Sequence, residues 1–122
     1  LHLFLLLSLI QAADVCIPTS PAVSACQTCP MLVEERFDPS VVDSSDANGC
    51  AVRTYTCTVS PPPRNAVITG SNNNGPRITL VDRAMPTDTI ALTCNPANTA
   101  WVFTDPTAGK LDVTHLRCDY YS

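Results

Sequence analysis

The sequence predicts an all-β fold, a small disulfide-stapled β-sandwich. Three observations predict it. Short runs rich in Thr, Val, Ile and Tyr recur, with Gly-, Pro- and Asn-containing turn signals between them roughly every ten residues. No stretch of comparable strength carries a helical period. Seven cysteines stand in 122 residues, behind an opening apolar run of the export type.

Taken in order, residues 1–13 read LHLFLLLSLIQAA, an apolar run followed by the small residues that signal peptidase accepts. The run is too short for a bilayer, which needs roughly 20 apolar residues. It is read as a secretory signal whose usual Met and basic start are missing, so the chain is expected to begin inside it. Residues 14–25 form a leader containing Pro and Ser, with Cys16 in it, and residues 26–118 hold the remaining six cysteines. Residues 119–122 are read as a tail. No apolar stretch ends the chain, so neither a membrane span nor a lipid-anchor signal is expected.

Residues 31–49 are mixed and end in DSSDANGC, a cluster of turn formers in which Asn48-Gly49 suits positive φ. Asp43, Asp46 and Asn48 invite a calcium-loop reading, but no Gly or Glu falls at the spacing such a loop requires, and a solvated turn is expected. CAVRTYTCTV then reads as a strand with Arg53, Tyr55, Cys57 and Val59 on one face. Cys50 and Cys57 differ by an odd number, so they have different partners or Cys50 belongs to the preceding turn. SPPPRN is a stiff connector. AVITGSNNNGPRITLV reads as a hairpin, DTIALTCN as a strand with Ile90, Leu92 and Cys94 on one face, and AWVFTDPTAGKLDVTHLRC as a further strand pair. Five to seven short strands result. Trp101 is placed in the core, packed on a disulfide by analogy with immunoglobulin-like sandwiches.

Seven Lys+Arg oppose eleven Asp+Glu, a net charge of −4. The basic residues stand singly, with no cluster from which counterion release drives nucleic-acid binding. Nucleic acid and anionic membrane are thereby excluded as expected partners.

Cys26 and Cys29 have the spacing of a redox dithiol, of half a zinc site, or of two halves of separate structural bridges. A redox pair wants a strand-to-helix turn, and zinc wants a second close Cys or His pair; neither is present, so structural bridges are the reading taken. Six cysteines allow fifteen pairings, and spacing does not choose among them. Cys16 is the odd thiol, either the link of a disulfide-linked dimer or the partner of one of the six. Such bridges suit a domain of this size: closing a loop of about 25 residues is worth about 3 kcal/mol, against a net stability of about 5 to 15 kcal/mol.

ACQTCP, then NGC, TYTCTV, LTCN with AWVFT after it, and a last Cys near the chain end together resemble the nematode six-cysteine extracellular domain, whose function is not established. The resemblance covers Cys26 to Cys118. It implies a bridge between Cys26 and Cys50, which separates Cys26 from Cys29, and it leaves the added Cys16 without a role.

No nucleophile, elbow, zinc or phosphate-loop motif is found, and the one histidine after the leader, His115, reads as a strand residue. No enzymatic activity, cofactor or metal is expected. The leading reading is a secreted structural or protein-interaction module with an extracellular protein partner. The alternatives are a protease inhibitor with Arg77 as bait in TGSNNNGPRI, and a thiol-disulfide oxidoreductase through Cys26 and Cys29. No Asn-x-Ser/Thr sequon occurs, and N-glycosylation is not expected.

Overall fold

The structure, a computed structural model, describes residues 25–37, 41–60, 63–73 and 75–122. Cys16, the apolar opening run, most of the leader and two of the connector prolines lie outside the described residues. The described residues form nine strands and no helix: β1 Val33–Glu35, β2 Val41–Ser45, β3 Ala51–Thr58, β4 Asn65–Ser71, β5 Ile78–Val81, β6 Thr87–Cys94, β7 Trp101–Asp105, β8 Gly109–Val113 and β9 His115–Tyr121. They make a sandwich of two sheets, a four-stranded sheet A of order β1-β9-β4-β5 and a five-stranded sheet B of order β2-β3-β6-β7-β8.

Alternation along the strands builds the core. Tyr55 and Cys57 of β3, Ile90, Leu92 and Cys94 of β6, and Trp101 and Val113 face inward from sheet B. Ala66, Ile68, Leu80, Leu116 and Cys118 meet them from sheet A. The central strands show one parity to the core and the other to the outside, which is why period-two patterning made β3, β4 and β6 legible.

The count of five to seven strands is corrected to nine. Residues 31–49 hold two strands that were read as irregular chain and turn. Both are edge strands: β1 runs parallel beside β9, and β2 runs antiparallel beside β3. Their residues are mostly exposed, so the alternation that marks a half-buried strand is weak in them. The last strand pair is likewise three strands, because the chain leaves sheet B after Val113 and enters sheet A at His115. Thr114 makes that crossing; its N–H donates to Ser71 O at 2.9 Å and its carbonyl accepts from Val33 N at 3.0 Å. Asp119, Tyr120 and Tyr121, read as a tail, continue β9 opposite β4.

The turn at Asp46–Gly49 forms as a tight loop between β2 and β3. Asp46 Oδ1 accepts from Asn48 N and Cys50 N, each at 2.9 Å, and Gly49 takes φ +82°, the left-handed region that favours glycine. Cys50 lies in this turn, one residue before β3.

The outer faces of the two sheets differ. Sheet A carries ion pairs there, Arg117 and Arg36 with Asp119 at 2.9 and 3.4 Å, and Arg77 with Glu35 at 3.5 Å. Sheet B turns outward Val42 and Ser44 from β2, Val52, Thr54, Thr56 and Thr58 from β3, Thr87, Thr89, Ala91 and Thr93 from β6, and Val102 and Thr104 from β7. The charged residues of that face are Lys110 and Asp112 on the marginal strand β8.

Candidate functional site

The six cysteines from Cys26 onward are all paired. Cys26 bonds Cys50, Cys29 bonds Cys94, and Cys57 bonds Cys118. The Cys-x-x-Cys is therefore divided between two bridges, one reaching the turn before β3 and the other the end of β6. Two of the three bridges fasten the segment before β1 onto one end of the sandwich. That segment is held further by Asn98 Oδ1, which accepts from Gln27 N and Thr28 N at 2.9 and 3.0 Å, and by Trp101, whose Nε1 donates to Pro30 O at 2.8 Å. Cys57–Cys118 joins β3 of sheet B to β9 of sheet A through the core, the cross-sheet placement that immunoglobulin domains share. Trp101 is buried, and it stands directly opposite Cys94 in the β6–β7 ladder, beside the Cys29–Cys94 bridge.

One long edge of the sandwich, where β1 lies across from β2 and β3, is closed by polar and aromatic contacts. The Tyr55 hydroxyl donates to Glu34 Oε2, and Arg53 reaches Glu34 at 3.7 Å and Asp43 at 2.7 Å. Phe37 packs on the Tyr55 ring, with centroids 5.1 Å apart. Burial, and then the Glu34 carboxylate it donates to, push the Tyr55 phenol above the usual tyrosine range. The Arg53 hydrogen bond holds Asp43 below its ordinary value, and the same bond raises Arg53.

The opposite edge, between β5 and β8, is a groove. Its volume is about 380 Å³, with Gly70, Ile78, Leu80, Leu111 and Val113 as an apolar floor and Ser71, Asn72, Lys110 and Asp112 at the lip. It continues past Asn72 and Asp112 into a second hollow of about 520 Å³ bordered by Pro30, Met31, Val33 and His115. Met31 is 88% exposed and Val33 49%, so the concave surface is rimmed by apolar side chains that water meets directly. A concave site with an apolar floor and a few polar groups at its lip is the usual form of a binding site.

Gly70 shapes the floor. A Cβ there would stand 2.7 Å from Leu80 Cδ1 and 2.9 Å from His115 O, so only glycine lets Leu80 lie over β4.

The residues singled out in the sequence fall elsewhere or at the margin. His115 opens β9, with Nδ1 2.8 Å from Thr114 Oγ1, at the rim of the second hollow. Arg77 lies along sheet A, its Nη1 3.3 Å from Thr69 Oγ1 and its Nη2 against Glu35. Asp43 pairs with Arg53, while Asp46 is occupied by its own turn. The loop TGSNNNGPRI, singled out for its exposure, supplies one wall from Gly70 to Ile78, but the groove itself carried no local signal, because two hairpins from different sheets form it and only the fold brings them together. On the other wall the alternation of Leu111 with Val113 is the trace.

Comparison with protein families matches residues 23–118 to the C6 domain. Comparison with curated proteins and with solved structures found no match. The matched span takes in most of the chain and all three bridges, and the chain belongs to the C6 domain family.

Proposed function

We propose that this chain works outside the cell as a disulfide-stapled interaction module, and that its protein partner is held in the groove between β5 and β8. The observation that carries this reading is the apolar floor of Ile78, Leu80, Leu111 and Val113, left open on a scaffold whose other edge is closed. Three bridges suit an oxidising compartment, in keeping with the six-cysteine family. A bridged scaffold also holds the groove in one shape before the partner arrives, which lowers the ordering cost of binding.

The reading contains no catalytic step. The titratable groups with the most shifted behaviour, Tyr55 and Arg53, clamp the closed edge and do not line the groove. The inhibitor alternative requires a protruding bait, whereas Arg77 is drawn onto sheet A. The oxidoreductase alternative requires Cys26 and Cys29 to exchange with each other, whereas each is bonded to a distant cysteine.

The test is capture from extracellular fluid by immobilised, oxidised protein, compared with Ile78→Lys on the groove floor and Glu35→Lys on the outer face of sheet A. A partner retained by the wild type and by Glu35→Lys, and lost by Ile78→Lys, is the expected result. Equal capture by all three, or by none, counts against the groove. Turnover in a hydrolase panel that disappears with His115→Ala would overturn the non-enzymatic reading.

A further inference from the structure

The outer face of sheet B has a chemistry that the groove does not use. Across the central ladder Thr56 faces Thr89 and Thr58 faces Thr87, with the latter pair's hydroxyls 3.2 Å apart, while Thr54 faces Ala91 and Thr93 faces Val52; Val42, 60% exposed, extends the same surface onto β2. Across β2, β3, β6 and β7 this face bears no charged side chain, in a molecule with a net charge of −4.

We propose that this face binds a second copy of the chain, sheet B against sheet B about a two-fold axis. The argument is complementarity. A threonine hydroxyl both donates and accepts, so a field of threonines pairs with its own kind, and the methyl groups supply apolar contact. Lys or Glu brought by another surface would be desolvated here without a counter-charge. Sheet A of a second copy would bring the ion pairs of Glu35, Arg36, Arg77, Arg117 and Asp119, whose desolvation this face offers nothing to offset. Two acidic molecules repel where like charges meet, and on this face they approach without opposing any. Two sheets of the same twist pack aligned at about 30°, as sheets within a sandwich do.

The area sets the strength. The four uncharged strands, about 4.8 Å apart with up to eight residues at about 3.4 Å each, give a footprint of about 500 Å², against about 800 Å² per partner in stable complexes. The dimer is accordingly weak and concentration-dependent. It is separate from the groove, and separate from any bridge through Cys16.

Analytical ultracentrifugation of the secreted Cys16→Ser protein, from about 10 μM to 1 mM to suit an interface of this size, tests it. The expected result is a mass rising from one chain toward two. Thr89→Lys and Thr89→Glu, each with the wild-type near-ultraviolet circular dichroism that reports an intact fold, stay monomeric, with association weakened at least about 10-fold, as burial of an unpaired charge requires. Their equal mixture forms the mixed dimer, and Glu35→Lys associates like the wild type. A wild type that stays monomeric to the top of the range overturns the proposal, and so does a Thr89→Lys protein that dimerises as tightly as its parent.

Discussion

The two long edges of this sandwich are closed and open by different means. At the β1/β2 edge, Glu34 reaches across from sheet A to Tyr55 and Arg53 of sheet B, and Phe37 covers the Tyr55 ring. At the β5/β8 edge the described residues show no hydrogen bond or ion pair between the two strands, the sheets being joined only at the end of the gap where Thr114 N donates to Ser71 O, and Leu80, Leu111 and Val113 are left as the floor of a groove. The same core serves both. The difference shows that a small domain stapled through its middle need not seal both sides: one edge holds the sheets together, and the other is left open.

Removing the staple breaks the comparison most thoroughly. Cys57 and Cys118 are 61 residues apart in sequence, and opening that loop costs about 4 kcal/mol in the chain-entropy treatment. The Cys57→Ala/Cys118→Ala protein is expected to lose about that much in denaturant unfolding, a large part of the stability of a domain of this size. If the loss is under about 1 kcal/mol, the bridge is not the common support of the two edges, since typical bridges contribute about 2 to 4 kcal/mol.

Gly70→Ala acts next, on the open edge alone. The added methyl meets the backbone oxygen of His115 and the end of Leu80, and only Leu80 is free to give way, outward into the groove. Overpacking of this kind costs about 1 to 3 kcal/mol, and we expect about 2, measured by thermal unfolding. Partner capture falls with it because Leu80 fills the floor. Unchanged stability would mean that β4 and β5 tolerate a wider spacing than the Leu80 contact allows.

These edges were unequally visible in the sequence. The central strands were legible because Tyr55, Cys57, Ile90, Leu92 and Cys94 alternate with exposed threonines, and burial on one face is what period two records. β1 and β2 were not, since Val33–Glu35 and Val41–Ser45 lie at sheet margins where neither face is deeply buried. The crossing at Thr114 was hidden because a single residue separates β8 from β9: the inward positions pass from Leu111 and Val113 to Leu116 and Cys118, a one-residue shift of phase that no turn signal marks. The bridge Cys26–Cys50 was implied by resemblance, whereas Cys29–Cys94 and Cys57–Cys118 were open among fifteen pairings. The groove depends on register between distant hairpins, which no local pattern encodes.

On the closed edge, Tyr55→Phe removes the hydroxyl that Glu34 accepts. Hydrogen bonds to charged groups contribute about 1.5 to 3 kcal/mol, and because Glu34 keeps Arg53 the lower end is expected. The pH dependence identifies the contact. Tyr55 has its proton affinity raised by burial first and by Glu34 second, so its contribution is complete below the ordinary tyrosine value near 10 and is lost as pH rises through the raised one. Wild-type stability should therefore fall above about pH 10 more steeply than that of Tyr55→Phe. In an ultraviolet titration of the three tyrosines, Tyr55 should ionise only as the protein unfolds. Three tyrosines titrating together in the folded state would place Tyr55 outside the clamp.

The smallest effect belongs to the exposed end of the same network. Asp43 meets Arg53 with both oxygens, at 2.7 and 3.4 Å, yet its side chain is 68% exposed, and water screens the pair. Such pairs contribute under about 1 kcal/mol, so Asp43→Asn should move the unfolding midpoint slightly and less still in high salt. The sign with pH is opposite to that of Tyr55. Arg53 lowers the Asp43 value, so the contribution is present above the ordinary aspartate value near 4 and is lost as pH falls through the lowered one. Wild type and variant should therefore converge in acid and differ at neutral pH, the reverse of the alkaline signature of Tyr55→Phe. A larger loss from Asp43→Asn than from Tyr55→Phe would invert the ranking: the closed edge would then rest on ions at the surface, and added salt would open it toward the geometry of the groove opposite.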